Sequence, residues 1–105
     1  GFDLSGGDVT VTLPDCSLAS VGTKYKFVLT TASPGTDQFI LNAAAGDKFV
    51  GAVDATLGTA TSTTSTTLST HTGGHAVGSH IDVEMISATQ WAISGIVSDS
   101  APVFS

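Results

Sequence analysis

The sequence predicts an all-β fold: a single antiparallel β-sandwich or barrel-like domain, jelly-roll or tulip-like, of about seven or eight short strands. Three observations carry that prediction. Apolar side chains recur with a period of two in one short run after another, the pattern of strands with one buried face. Gly, Pro, Asn and Asp break these runs at spacings of roughly ten residues. No stretch repeats at the ~3.6-residue period of a helix.

The clearest alternation lies at 79–97, SHIDVEMISATQWAISGIV. Ile81, Val83 and Met85 share one face and His80, Asp82 and Glu84 the other. After Ser87-Ala88-Thr89-Gln90, a second run carries Trp91, Ile93, Ile96 and Val97. A break of about four residues suits a hairpin built around a type I turn. The remaining strands then give this hairpin something to pack on.

Taken in order, Val9, Val11 and Leu13 define a strand that Pro14 stops, and 15–22 is a loop with Leu18 and Val21 as its anchors. Residues 24–31 (KYKFVLTT) place Tyr25, Phe27 and Leu29 on one side. Pro34-Gly35 marks a turn, after which 38–42 and 48–55 read as strands around Phe39 and Phe49. Gly51 inside the second implies a bulge or a close backbone approach. The Thr/Ser tract that follows (TATSTTSTTLSTHT, 59–72) has too many β-branched residues for a helix. It reads either as an exposed edge strand or as a strand whose apolar half comes from Thr methyls. The expected core anchors are Tyr25, Phe27, Phe39, Ile81, Val83, Trp91 and Ile93.

With 105 residues there is room for one domain, with an N-terminal arm at 1–7 and a C-terminal tail at 98–105. Scaling for this mass gives a folded surface of roughly 5,400 Å2 against roughly 15,000 Å2 for the open chain, enough for a modest core. The opening Gly-Phe-Asp-Leu lacks a leader's basic and apolar regions and an initiator Met, which points to a processed or partial N-terminus. Only 11% of residues are charged, the net charge is −6, and the three basic residues are Lys24, Lys26 and Lys48. Nucleic acid and anionic membranes are therefore not expected partners, because both need a basic surface.

The chemistry-bearing residues do not converge. His71, His75 and His80 precede Asp82 and Glu84, but their spacing matches no compact zinc motif, so no metal and no cofactor is expected. Ser79, His80 and Asp82 contain the residue types of a triad, yet neighbours on a strand point to opposite faces. The carboxylates lie mostly in turns, where they serve solubility. Cys16 is the only cysteine and reads as a small buried or half-buried side chain. No catalytic residues are expected, and the chain does not read as an enzyme. The Thr tract lacks the strict Thr-x-Thr spacing of an ice-binding ladder.

Three segments in order resemble a known group. They are Val11-Thr12-Leu13-Pro14, then Val21-Gly22-Thr23-Lys24-Tyr25-Lys26-Phe27-Val28, then Phe39-Ile40-Leu41-Asn42 running on to Gly46-Asp47. With the finish from Gly78 through Ile86-Ser87 and Trp91 to Gly95, the chain resembles small β-rich virion proteins of tailed bacteriophages. That group includes capsid (head) decoration proteins and fibre-associated domains. The usual Asp-Gly of the closing turn is missing here, and the loop is one residue shorter. The resemblance implies a virion structural protein on the capsid exterior, made in the host cytoplasm. It implies a homotrimer that binds the phage major capsid protein. Phe2, Leu4, Val103 and Phe104, in the termini, are the candidate subunit or capsid contacts. A carbohydrate- or receptor-binding module of a tail fibre or adhesin is the alternative, and it needs an exposed aromatic platform.

Overall fold

The computed structural model describes residues 2–3, 8–31, 38–70, 78–98 and 100–105, with backbone alone for Phe2, Asp3 and Thr31. The strands are β1 (Phe2–Asp3), β2 (Val9–Thr12), β3 (Lys24–Thr31), β4 (Phe39–Asn42) and β5 (Lys48–Ala55). They continue with β6 (Gly58–Ser62), β7 (Thr67–Ser69), β8 (His80–Ser87), β9 (Gln90–Val97) and β10 (Val103–Phe104). A 3-10 turn, Leu18–Ser20, sits between β2 and β3.

These strands make two sheets packed face to face, one ordered β1-β3-β8-β9-β5-β6 and the other β10-β7-β4-β2. The sandwich is as expected, but the sheets are mixed and not antiparallel: β1–β3, β2–β4 and β5–β9 run parallel. Alternation reports which face a strand buries and is silent about its neighbour's direction. Here the chain steps between sheets, from β2 across to β3 and back to β4, and two reversals return it parallel to where it left.

Each sheet contributes its period-two face to the core. The larger brings Leu29, Ile81, Val83, Met85, Trp91, Ile93, Val97, Phe49 and Val53; the smaller brings Leu13, Phe39, Leu41 and Leu68. Burying each aliphatic or Phe side chain contributes on the order of 1.5–3 kcal/mol. Two aromatic pairs lock the layers together, Phe27 on Phe39 at 5.4 Å and Phe49 on Phe104 at 6.4 Å between ring centroids.

Two glycines make the central strands possible. A Cβ on Gly51 would lie 2.1 Å from the Ile93 carbonyl oxygen, and one on Gly95 2.3 Å from that of His80. Both also take φ values, +140° and +155°, that L side chains rarely adopt. The expected close approach at Gly51 is thus a contact with the backbone of β9.

Several expectations need correcting. The hairpin turn is two residues long, Ala88-Thr89, because β8 runs through Ser87 with an irregularity between Met85 and Ser87. The Ser87 hydroxyl accepts from Thr89 N at 3.3 Å and donates to Gln90 Oε1 at 3.2 Å, replacing the Asp-Gly chemistry. The Thr/Ser tract is two strands in different sheets. Neither terminus is a free arm or tail: β1 pairs with β3, and β10 pairs with β7.

Candidate functional site

The outer face of the larger sheet collects most of its charge. Register aligns Lys24 with Glu84 and Ala92, and Lys26 with Asp82 and Ser94, across β3, β8 and β9. These residues line a shallow trough of about 410 Å3 with small side chains as its floor. Lys24 Nζ lies 3.6 Å from Glu84 Oε1, and His80 Nε2 lies 3.8 Å from Asp82 Oδ2. Pairs as exposed as Lys24–Glu84 contribute little stability, typically ~0–1 kcal/mol.

Ser79, His80 and Asp82 are not brought together as a triad. His80 Nδ1 sits 3.2 Å from the Gly78 carbonyl, which can only accept. The Ser79 hydroxyl is turned to the other side, where it accepts from Ser98 N at 3.2 Å. Among the described residues no three His, Cys, Asp or Glu side chains come together as a metal site. His71 and His75 lie outside the described residues.

A second opening lies at the side of the sandwich, where β2 ends the smaller sheet and β3 lies near the end of the larger. Val11, Thr12, Leu13, Pro14, Tyr25 and Phe27 line a mainly apolar slot of about 320 Å3 there. Tyr25, expected as a core anchor, is 41% exposed. Its register partner Val83 is buried, so the ring does project to the inner side, but the slot leaves it open to solvent. Phe27 is half-buried against the core. Phe39, Ile81, Val83, Trp91 and Ile93 are buried. Trp91 packs on Tyr25 at 5.9 Å, and its buried Nε1 has no hydrogen-bond partner among the described residues.

The two ends of the sandwich expose apolar side chains, among them Leu18 and Val21, which the sequence suggested as loop anchors. The loop before β3 is stitched to the end of β8: Gly22 N donates to Met85 O, Met85 N to Thr23 O, and Ser17 N to Met85 Sδ. That stitching uses backbone atoms, so Leu18 (75% exposed) and Val21 are left outward, at the same end as exposed Ile86. Leu57 and Ile96 are exposed at the opposite end. Of the proposed terminal contacts, Phe104 packs into its own domain against Phe49, while Val103 is exposed. Phe2 contributes backbone to β1, and Leu4 lies outside the described residues.

Cys16 is half-buried beside Asp47, whose Oδ2 accepts from Cys16 N at 2.8 Å. Burial, then the Asp47 charge and its hydrogen bond to the thiol, then Asp15, push the thiol up to about 11. A thiol held protonated in this way is a poor nucleophile. No protein-family model matches the chain, and neither a curated protein nor a solved structure is similar to it.

Proposed function

We propose that this domain is a non-enzymatic structural protein of a tailed-phage virion. It decorates and reinforces the capsid exterior by binding the major capsid protein lattice, as a homotrimer. The observation that carries this reading is the apolar surface the fold leaves uncovered: Leu18, Val21 and Ile86 at one end, Leu57 and Ile96 at the other. Exposed apolar side chains gathered on a lightly charged surface suit dry protein contacts. Weak contacts of this kind become firm when multiplied by trimer and lattice valency. The resemblance of the Leu13-Pro14, Tyr25-x-Phe27 and Ile86-Ser87…Trp91 segments points to the same class.

Purified protein mixed with undecorated capsids should co-sediment and occupy regular lattice sites by cryo-microscopy, and it should sediment alone as a trimer. Empty lattice sites at saturating protein would overturn the reading. A glycan-binding module is the second reading, favoured by one observation, the open Tyr25 ring beside an apolar slot. Trp91, the other aromatic it would use, is buried. Binding on a glycan array that is lost in Tyr25→Ala would select it.

A further inference from the structure

The chain has two sulfur atoms, in Cys16 and Met85, and one loop engages both. That loop, 15–23, has little core of its own. No residue of its 3-10 turn is buried, and of the whole loop only Cys16 and Thr23 are half-buried. Hydrogen bonds hold it instead. Cys16 N donates to Asp47 Oδ2 at 2.8 Å, and others converge on Met85. Gly22 N donates to Met85 O at 2.8 Å, Met85 N to Thr23 O at 2.9 Å, and Ser17 N to Met85 Sδ at 3.3 Å. A segment with few buried apolar contacts, held at a few polar points, opens at lower cost than the sheet beneath it.

Met85 is 1% exposed and stands opposite buried Trp91 in the β8–β9 register. Its inner side is packed on the core, so a small oxidant reaches the sulfur from the loop side. That is the side on which Ser17 N–H uses a sulfur lone pair. Cys16 does not compete well. Burial, then Asp47 and Asp15, hold its thiol protonated up to about 11, so the peroxide-reactive thiolate is scarce at neutral pH. A thioether needs no deprotonation to react.

We propose that Met85 is a redox latch: oxidation of its thioether by a peroxide releases the 15–23 loop from the end of β8. With hydrogen peroxide the O–O bond breaks and an S–O bond forms. Sulfur is oxidised by two electrons to the sulfoxide, and the peroxide's other oxygen leaves as water with both hydrogens. The new oxygen takes the lone pair, and the space, that the Ser17 N–H occupies, and it makes a flexible apolar side chain polar. The loop then closes no longer as before, and exposed Leu18 and Val21 move with it. The change is reversible, because a sulfoxide can be reduced enzymatically. The latch consists of the loop and β8 alone and does not depend on the virion reading.

The test treats the whole domain with hydrogen peroxide at neutral pH and follows it by peptide mass mapping and backbone amide exchange. One oxygen should add at Met85. In the product the amides of Ser17, Gly22 and Met85 should exchange about tenfold faster or more, while Val83 and Ile93, deeper in β8 and β9, keep their protection. Methionine sulfoxide reductase should restore the original exchange. Met85→Leu, a swap of similar volume that cores tolerate, should abolish the response, and Cys16→Ser should keep it. Oxygen added at Cys16 in place of Met85, a sulfoxide that leaves loop exchange unchanged, or protection lost throughout β8 and β9 would each overturn the proposal. So would a Met85 that stays unoxidised while the domain is folded.

Discussion

The β8–β9 hairpin and the Thr/Ser tract of β6 and β7 have the same secondary structure and opposite kinds of sequence. In the hairpin, residue type labels the face: Ile81, Val83, Met85, Trp91 and Ile93 are buried, and the polar residues between them line the outer side. In the tract, nearly every residue is Thr or Ser, and residue type labels almost nothing. The fold nevertheless uses it unevenly. β6 lies at an edge of the larger sheet, the chain crosses at 63–66, and β7 lies between β4 and β10 in the other. Among the described residues Ser62, Leu68 and Thr70 are buried and anchor it. The Ser62 hydroxyl donates to Phe49 O at 2.7 Å and accepts from Ser65 N at 3.1 Å, while Thr70 Oγ1 accepts from Phe39 N at 2.8 Å. The tract is a crossover held at a few points, and a hydroxyl can hold such a point where a methyl cannot.

Substitutions turn this contrast into measurable differences. The largest effect is expected in the hairpin: Trp91→Ala should cost about 3–5 kcal/mol in denaturant unfolding. Trp91→Phe should cost clearly less, because it keeps most of the ring and removes the orphaned Nε1 donor. Leu68→Ala should come next, at about 2–5 kcal/mol, since this lone leucine of the tract is fully buried between β4 and β10. A loss under about 1 kcal/mol would mean that the tract carries no core.

Ser62→Ala should cost about 1–3 kcal/mol by leaving the Phe49 carbonyl and Ser65 N–H without this partner. Exposed Thr61→Ala, one residue away, should stay within about 0.5 kcal/mol. Equal effects at the two positions would erase the distinction between anchor points and passive residues.

The smallest effect belongs to the loop stitched to the hairpin at Met85. The Cys16 thiol is raised in the fold from 9.0 to about 11, so folding favours its protonated form. Its contribution to stability is complete below about pH 9 and is lost as pH rises toward 11. At pH 8 alkylation should run about a hundredfold slower than in the unfolded chain, the ratio of thiolate fractions. Asp47→Asn keeps an acceptor for Cys16 N and should recover part of that rate, with burial holding back the rest.

The interaction surfaces were less legible than the core. Val9 to Leu13, Phe39 and the hairpin announced their inner faces because alternation is local. Leu18 and Val21 looked like loop anchors by composition, yet the loop is anchored through backbone atoms and Ser17, which leaves their side chains free. Tyr25 has the correct inner-face parity and is still exposed, because it lies in the slot between β2 and β3. Phe104 seemed a sticky tail residue because nothing local shows that β10 completes a sheet.

By itself the sequence determined that this protein is all-β and which residues of most strands face inward, and it marked Gly51 as a bulge or a close approach. Those features follow from side-chain period and backbone sterics over a few residues. Only the tertiary structure decided that the sheets are mixed, that the Thr/Ser tract is shared between them, and that Tyr25 is left exposed in a slot between β2 and β3. Each depends on which distant strand lies alongside, and a run of alternating residues makes the same inner face beside any neighbour, in either direction, or beside none.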